Sequence, residues 1–436
     1  MLRDLANRSM IVTLCAAALC AAACKKADNA TGSGNAASGG SGGATAASGG
    51  AAGGGGGGDK LVIGVMTDMS GPYADLAGKG SEVAAQMAVE DFGGKVAGMP
   101  IEVISADHQT KPDIGSSLAR EWFDTKGVDA IVDVPTSSVA LAVNEVTKSK
   151  NKVFLVSGAG TSDLTGKACS PNTVHWTYDT WALSNAAGRE IIKNGGDTWF
   201  FLTVDYAFGA ALERDATKVV EQMGGKVLGD VKHPLNAQDF SSFLLQAQAS
   251  KAKIIGLANA GKDTINSIKQ AAEFGIMSKG QKMAGLLTFI TDVNALGLPA
   301  AQGLILSESF YWDRDDGTRA WSKKFAARHD GEMPTMVQAG VYSAVTHYLK
   351  AIAELKSAKD GKAVVDKMKA MPTDDPLFGK GTIDPNGRKR HSMYVYEVKK
   401  PEESKAKWDY YKLIREVPAD QAFRAPADSE CPMLTK

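Results

Sequence analysis

The stretch KLVIGVMTDMSGPYADLAGKG, residues 60–80, decides the fold class. Its first seven residues are almost all apolar, which is typical of a short strand buried on both faces of a parallel sheet. A polar loop with Gly71-Pro72 follows, and the next apolar positions predict a helix over residues 81–92 that a Gly-Gly pair ends. A buried strand, a loop and a helix in this order predict a βα unit.

The same alternation of strand and helix continues along most of the chain and restarts once. In the first series we expect strands at 60–66, 99–107, 128–134 and 152–158. In the second series we expect strands at 198–204, 226–231, 253–258 and 282–287. Long helices and two further strands, at 391–398 and 407–414, complete the chain. Two such series predict an α/β fold of two similar lobes, with helices on both faces of each sheet.

The N-terminus carries the features of a signal peptide over residues 1–23. Two arginines precede a 13-residue apolar segment from Ile11 to Ala23, which is too short to span a bilayer and has the length of a signal-peptide core. The small residues before Cys24 resemble the lipobox of bacterial lipoproteins, although Ala21 replaces the Leu that the motif prefers. The resemblance implies lipidation of Cys24. Ordinary cleavage that leaves a soluble protein is the alternative.

Residues 24–58 are predicted to be a flexible tether between this anchor and the folded part. From Asn29 to Gly58 the chain has no charged, aromatic or large aliphatic residue, so it cannot bury enough apolar surface to offset its ordering entropy. Treated as a Gly/Ser coil, this segment has a root-mean-square span of about 30 Å. We therefore expect a periplasmic protein that a lipid anchor tethers to a membrane.

Three cysteines remain once the signal peptide is removed, at positions 24, 169 and 431. Because an oxidising compartment favours disulfides, we expect Cys169 and Cys431 to pair. The bond would fasten a C-terminal tail, residues 418–436, to the folded body. Two free thiols are the alternative.

Motifs for catalysis, metals or nucleic acid are missing from the sequence. There is no HExxH or CxxC, the six histidines are scattered, and the formal net charge is zero without a long basic run. GLANAGKD, residues 256–263, fits the phosphate-binding pattern GxxxxGK, but Asp263 stands where the magnesium-binding Ser or Thr belongs. Since its carboxylate would repel a phosphate, we expect no enzyme activity, no cofactor and no metal. A nucleotide-using α/β enzyme is the alternative.

Six loops at the carboxyl ends of predicted strands indicate a ligand site, because open parallel sheets bind ligands at this edge. In the first series the loops are rich in hydroxyl groups and small residues, at 68–76, 135–140 and 157–166. They expose backbone N–H groups at helix N-termini, which favour an anion such as a carboxylate. In the second series the loops at 204–212, 258–263 and 286–293 supply Tyr206, Phe208, Asn259 and Phe289. We thus expect one polar wall and one aromatic wall.

In their order and spacing these motifs resemble the type I periplasmic solute-binding proteins of ABC importers, in particular the leucine/isoleucine/valine-binding branch. The resemblance runs from about Lys60 to Val417 and rests on IGVMTDMSGPYADLAGKG, GGKVAGMPIEVISAD, TSSVALAV, FLVSGAGTSDLT, DYAFG and QDFSSFLLQAQASKAKII. It implies two Rossmann-like lobes joined by a three-segment hinge, with lobe I over 59–179 and 311–385 and lobe II over 180–310 and 386–417. It implies a ligand in the cleft and no catalysis.

The resemblance also implies which residues of the first lobe bind the ligand. Tyr73 lies in the first loop, where the family lines its cleft. Ser137 and Ser138 match the Ser-rich loop that holds the ligand carboxylate. The family's Ala-x-Thr after the fourth strand matches Ala159, Gly160 and Thr161.

Two positions in the second lobe depart from the family pattern. Phe208 stands where the family has Tyr, so ring stacking is kept and the phenolic hydroxyl is lost. Phe289 falls near the acidic residue that pairs with the ligand ammonium in amino-acid binders. An ammonium buried without a counter-charge is strongly unfavourable. We therefore predict a small carboxylate ligand without a required ammonium, aromatic or branched-chain, that these rings cover.

These features predict the extracytoplasmic solute-binding component of an ABC importer. The carboxylate docks on the first lobe, the second lobe swings about the hinge to cover it, and the closed form delivers it to a membrane permease. We expect a monomer that binds no nucleic acid. A ligand-sensing receptor subunit of the same fold, which passes the closed state to a signalling partner, is the alternative.

Overall fold

The computed structural model describes residues 60–434. Four sheets, with helices packed on them, form the framework of this part of the chain. None of its helices combines the length and the apolar character that crossing a membrane requires. The predicted signal peptide, the predicted lipidation site Cys24 and the predicted tether over residues 24–58 lie outside the described residues.

The first lobe is built on a six-stranded sheet. Its strands are β1 (Leu61–Thr67), β2 (Lys95–Val96), β3 (Met99–Asp107), β4 (Ala130–Asp133), β5 (Val153–Val156) and β6 (Thr173–His175). They lie in the order β2-β3-β1-β4-β5-β6, and all pairs are parallel except β2 with β3. The helices between them are α1 (Gly78–Asp91), α2 (Pro112–Glu121) and α3 (Ser137–Ser149). The strand order reverses between β1 and β4, so a crevice opens at the carboxyl ends of these two strands.

The second lobe repeats this arrangement on a four-stranded parallel sheet. Its strands are β7 (Thr198–Val204), β8 (Lys226–His233), β9 (Ile254–Ala258) and β10 (Lys282–Gly285), in the order β10-β9-β7-β8. Its helices are α4 (Thr180–Leu183), α5 (Arg189–Lys193), α6 (Ala207–Gln222), α7 (Ser241–Ala249), α8 (Lys262–Glu273), α9 (Ile290–Leu296) and α10 (Leu298–Ala301). Here the order reverses between β7 and β9, which places a second crevice at their carboxyl ends.

The rest of the chain returns to both lobes. In the first lobe lie the helices α11 (Asp316–Ala326), α12 (Met336–Leu355) and α13 (Gly361–Ala370), and α12 packs against α1. Beside β6 lies a small antiparallel sheet of β12 (Thr373–Asp375), β13 (Gly379–Ile383) and β14 (Lys389–Arg390). In the second lobe lies an antiparallel sheet of β11 (Ile305–Glu308), β15 (Met393–Val398) and β16 (Tyr411–Val417).

The chain passes between the two lobes three times. The crossings lie at residues 176–179, 309–315 and 391–392, each between elements of different lobes. Two α/β lobes joined by three segments are the fold class that the sequence predicts. Residues of both lobes and of the first crossing line one cavity, so rotation about these segments would open and close it.

The C-terminal tail contacts both lobes. A disulfide joins Cys169 of the first lobe to Cys431, and the two Cα atoms lie 5.7 Å apart. Ahead of it, helix α14 (Ala419–Ala422) lies against the second lobe, where Asn185 Nδ2 donates to Ala422 O at 3.2 Å. Arg390 of β14 donates through Nη2 to the carbonyl oxygen of Arg424 at 3.0 Å. The tail thus runs beside the third crossing and is bonded to both the first and the second lobe.

Short elements depart from the expectation drawn from the sequence. Strands β2, β6 and β12–β14 have between two and five residues, too few to show a period in the sequence. Residues 286–293, expected to be an open loop, contain the start of α9. This helix is fixed at its N-terminus because Phe289 N donates to Asp292 Oδ2 at 2.9 Å.

Candidate functional site

A small cavity lies between the two lobes, at the carboxyl ends of both parallel sheets. Its volume is about 10 Å³, room for about one water molecule and far below the roughly 300–1,000 Å³ of typical small-molecule sites. The first lobe and the first crossing line it with Tyr73, Leu76, Pro135, Gly158, Gly160 and Tyr178. The second lobe lines it with Tyr206, Phe208, Ala260, Leu287 and Phe289. The lining side chains are aliphatic or aromatic, and the polar groups among them are tyrosine hydroxyls.

A hydrogen bond between two tyrosines joins the lobes across this cavity. Tyr73 follows β1, Tyr206 follows β7, and their hydroxyl oxygens lie 2.7 Å apart. Tyr73 is held in place because its backbone N donates to Asp68 Oδ2 at 2.9 Å, while Gly71 N donates to Asp68 Oδ1 at 2.6 Å. Burial raises the pKa of both tyrosines. Both hydroxyls therefore stay protonated, and one of them is free to donate to a ligand.

The second lobe supplies an aromatic wall. Phe208, in the first turn of α6, and Phe289, just before α9, are almost fully buried. The Phe208 ring lies 6.2 Å from that of Tyr206, and the Phe289 ring meets that of Tyr178 edge-on at 6.3 Å. A side chain at Gly160 would bring a Cβ to 2.9 Å from the Phe208 ring. Only glycine lets the loop after β5 approach this ring so closely.

The polar residues predicted for the first lobe lie beside the cavity rather than in its lining. Ser137 begins α3, and its Oγ accepts from Thr161 N at 3.2 Å, which links the loops after β4 and β5. Thr161 Oγ1 accepts from Asp163 N at 3.3 Å. Ala159 O bonds to the His175 ring at 2.7 Å. These contacts hold Ser137 and Thr161 in place at the N-terminus of α3, where backbone N–H groups lack intrahelical partners. The surface that these two residues and the N–H groups form is called the polar floor below.

Two further predicted residues lie outside the cavity lining. Ser138, in the first turn of α3, is half-buried. Asn259 is fully buried after β9, where it bonds to the His233 ring at 3.1 Å and accepts from Thr264 Oγ1 at 2.8 Å. Both polar ends of the Asn259 amide therefore have partners within the second lobe. Of the ten predicted residues, the cavity lining includes Tyr73, Gly160, Tyr206, Phe208 and Phe289.

Several lining residues were not predicted from the sequence. Tyr178 lies in the first crossing, where its hydroxyl donates to Gly158 O at 2.5 Å. Pro135 and Gly158 lie in loops that the sequence indicated, although no pattern singled them out. Leu76, Ala260 and Leu287 are aliphatic residues whose sequence signal is the same as that of any core residue.

The segment GLANAGKD, which resembles a phosphate-binding loop, forms a contact between the two lobes. Asp263 is fully buried and accepts from the backbone N of Asn236 at 3.1 Å and of Ala237 at 2.9 Å. Lys262 reaches the first lobe instead of a phosphate, because its Nζ donates to Gly71 O at 3.0 Å. Within residues 60–434, no cluster of three or more His, Cys, Asp or Glu side chains is arranged to hold a metal ion.

Comparison with known proteins agrees with this architecture. The family model described as "Periplasmic binding protein" matches residues 60–406. Leu/Ile/Val-binding protein homolog 6 of Brucella melitensis is 26% identical over 352 residues, which cover 79% of this chain and 89% of that protein.

Solved structures share the fold over most of the chain. A periplasmic binding protein from Burkholderia mallei is 52% identical, covers 86% of this chain and 100% of its own, and superposes with a TM-score of 0.84. A branched chain amino acid ABC transporter periplasmic ligand-binding protein from Burkholderia xenovorans is 42% identical, with the same coverage and a TM-score of 0.77. A more distant ABC transporter solute binding protein from R. palustris, solved with benzoate, is 21% identical, covers 83% and 97%, and has a TM-score of 0.74.

The family model therefore matches both lobes, from Lys60, which precedes β1, to the loop before β16. The two-lobed fold is shared with the two Burkholderia proteins. The chain belongs to the periplasmic binding protein family, the ligand-binding proteins of ABC transporters.

Proposed function

We propose that this protein is the extracytoplasmic solute-binding component of an ABC importer and that it binds a small carboxylate, aromatic or branched-chain, by closing its two lobes. The observation that carries the proposal is the cavity between the lobes. One side borders the polar floor at the start of α3, and the other side is the aromatic wall of the second lobe. These two surfaces suit the two ends of an apolar carboxylic acid.

The carboxylate is assigned to the first lobe. The residues that line the cavity carry no charge, so neutral donors have to hold the anion. The N-terminus of α3 offers unpaired backbone N–H groups and the positive end of the helix dipole. The hydroxyls of Ser137 and Thr161 lie beside it, and closure removes water that would weaken their hydrogen bonds.

The apolar part of the ligand is assigned to the second lobe. Phe208 and Phe289 offer ring faces or edges to an aromatic or branched aliphatic group. The Burkholderia xenovorans relative is described as a protein for branched chain amino acids, and the R. palustris protein holds benzoate. Both ligands combine a carboxylate with a compact apolar group. The similarity to the second protein concerns the fold alone.

Closure is proposed as the signal to the permease. In the closed form Tyr73 bonds to Tyr206, and Lys262 reaches across to Gly71 O. Both contacts require the lobes to be together, so a ligand that fills the cavity favours the closed form. We also propose that Cys24 carries a lipid that tethers the protein to a membrane, that the protein is a monomer, and that it performs no catalysis.

Calorimetric titration tests the ligand class. Benzoate, 4-methylpentanoate and leucine are compared with benzyl alcohol, which keeps the ring and lacks the carboxylate. We expect at least one acid to bind and to raise the melting temperature, because binding to the folded state adds RT ln(1 + [L]/Kd) to stability. Binding of the alcohol as tightly as benzoate, or no binding of any acid at millimolar concentration, would refute the proposed ligand class.

Two variants locate the site. Phe208→Ala removes a cavity ring and is expected to weaken binding of the acid about tenfold or more. Phe274→Ala removes an exposed ring at the end of α8 and should leave the affinity unchanged. Equal affinities in the two variants would place the ligand elsewhere. For the anchor, Cys24→Ser should move the protein from the membrane fraction to the soluble periplasmic fraction.

A further inference from the structure

Asp133 is the last residue of β4, and its carboxyl group is buried without a partner. The side chain has no exposed surface, and neither carboxyl oxygen makes a hydrogen bond with any residue in the described part of the chain. The hydroxyls of Ser81 and Thr67 are close enough to lower the pKa of Asp133 by hydrogen bonding, but neither reaches the geometry of a normal hydrogen bond. Buried polar atoms nearly always have a hydrogen-bond partner. The two carboxyl oxygens and the two hydroxyl oxygens therefore indicate that a polar group of a bound molecule completes this site.

The backbone at this point is strained. Asp133 has a φ of 83° and Val134 a φ of 55°. Both values lie in the left-handed region, which is unfavourable for residues with a Cβ and most unfavourable for a β-branched residue such as valine. Such strain persists where the surrounding structure enforces it, and it is concentrated at functional sites.

The position of Asp133 in the sheet places it at the ligand crevice of the first lobe. It pairs with Met66 across β1 and β4, the two strands between which the order reverses. It also lies directly behind the cavity wall, because a Cβ on Gly158 would come within 2.8 Å of Asp133 Oδ1. Gly158 and Pro135 line the cavity. The missing side chain at Gly158 lets the backbone of this lining residue lie directly against the Asp133 carboxyl.

The charges around Asp133 favour a hydrogen-bond donor as its partner. Burial, together with the neighbouring carboxylate of Asp68, raises the pKa of Asp133 to about 7. No cation is among the groups that shift it. Carboxylate oxygens without a donor are strongly unfavourable in such surroundings. An N–H or O–H group from a ligand would satisfy the carboxyl and the two hydroxyls together.

We propose that Asp133, together with Thr67 and Ser81, receives a hydrogen-bond-donating group of the ligand. This inference rests on the proposed function and refines it, because the preferred ligand is then a small carboxylate that also carries an N–H or O–H group. The second lobe has Phe289 near the position where amino-acid binders of this family carry an acid. In this chain the first lobe offers an acid at the opposite side of the cavity.

Pairs of ligands that differ in one donor group test the proposal. 4-Methylpentanoate is compared with leucine, and benzoate with 2-aminobenzoate, by calorimetric titration of the full protein, because both amino groups lie next to the carboxylate that the first lobe holds. We expect the wild type to prefer the amino-bearing member of at least one pair by about tenfold or more, since an unmet acceptor in a closed site is costly. Binding without any such preference overturns the inference and leaves the proposed function standing. If no member of either pair binds, the proposed function fails and the inference falls with it.

The variant Asp133→Gly distinguishes a role of Asp133 in ligand recognition from a role in folding. Glycine adopts positive φ without strain, so this variant should fold and melt at the same temperature as the wild type or a few degrees higher. Its preference for the amino-bearing ligand should drop to about twofold or less. A variant that melts lower and keeps the preference shows that Asp133 is a structural residue, and this overturns the proposal. Asp129→Asn changes a buried acid just before β4, at the end of the strand away from the cavity, that accepts from Val62 N and Lys152 Nζ, and it should keep the preference.

Discussion

Ser162 Oγ donates a hydrogen bond of 2.6 Å to Asp215 Oδ2, and this contact ties the loop after β5 of the first lobe to helix α6 of the second. Thr180 Oγ1 donates to the same oxygen at 2.7 Å. Arg214 and Arg424 pair with Asp215 Oδ1 at 3.2 and 3.0 Å. Asp215 is almost fully buried, so screening by solvent is weak and the cluster stabilises the closed arrangement of the lobes.

Asp215→Asn should weaken ligand binding by favouring the open form. The amide keeps the shape but removes the charge that faces the two arginines, and a buried charge without its partner is costly. We expect the Kd of a bound acid to rise about tenfold, which corresponds to about 1.4 kcal/mol. Calorimetric titration measures the Kd, and small-angle scattering should show a larger radius of gyration without ligand. Asp230→Asn, on an exposed strand position, is the control, and an unchanged Kd in Asp215→Asn would contradict the role of this cluster.

Tyr206→Phe should remove the hydrogen bond that joins the lobes over the cavity. The ring and its packing against Phe208 are kept, while the hydroxyl that meets Tyr73 is lost. A neutral hydrogen bond contributes about 0.5–1.5 kcal/mol, so the Kd should rise about two- to tenfold. Tyr410→Phe removes a hydroxyl that bonds to Asn294 within the second lobe, and it should leave the Kd unchanged. If both variants bind alike, the bond across the lobes makes no contribution to affinity.

Strand β7 illustrates how much of the fold could be predicted. The run TWFFLTV predicts this strand over residues 198–204 with both limits correct, because its aromatic, aliphatic and Thr residues favour a strand and Asp197 and Asp205 bound it on either side. The same rule locates β1 and β9, which are buried on both faces, to within one residue. Strand β6, of three residues, is held by its pairing with β5 and with Arg388. Such partners are distant in the sequence and leave no local pattern.

The site likewise contains residues that a local sequence pattern locates and residues that depend on distant partners. Tyr206, Phe208 and Phe289 could be placed together because the carboxyl ends of parallel strands meet at one edge of a sheet. That Tyr73 of the other lobe faces them followed from the family resemblance. For Asn259 the sequence gives the loop but not the direction of the side chain, which depends on His233, 26 residues away. The positive φ of Asp133 is hidden in the same way, since a run of apolar residues and an Asp reads as an ordinary strand end.

The disulfide of the tail should contribute strongly to stability. Cys169 and Cys431 are 262 residues apart in the sequence, so the bond removes a large amount of chain entropy from the unfolded state. Replacing both by Ser should lower the free energy of unfolding by about 2–4 kcal/mol, measured by the denaturant midpoint. Reductant should lower the midpoint of the wild type and leave that of the double variant unchanged. Identical midpoints for the oxidised wild type and the variant would show that the bond is not formed or not stabilising.

Lys389 should make stability depend on pH, because it is a lysine with no exposed surface and no hydrogen-bond partner for Nζ among the described residues. Its ammonium lies 4.9 Å from the ring of Trp176 and 4.4 Å from that of Phe378. Burial lowers its pKa from 10.5 to about 7, and the carboxylate of Asp375 offsets this only in part. Between these two values the unfolded chain binds the proton and the folded chain does not. The contribution of Lys389 to stability therefore rises with pH from about 7 to about 10.5.

Lys389→Met keeps an unbranched side chain, one heavy atom shorter, and removes the charge, so it should raise the free energy of unfolding by about 1 kcal/mol or more at pH 6, where the folded state has to hold a buried ammonium. The gain should shrink steadily as the pH rises toward 10, since the wild type then folds with a neutral amine. Denaturant midpoints of the two proteins between pH 6 and pH 10 measure this difference. Lys380→Met, at an exposed position of β13, should run parallel to the wild type. A constant difference between Lys389→Met and the wild type across this range would mean that Lys389 keeps an ordinary pKa in the folded protein.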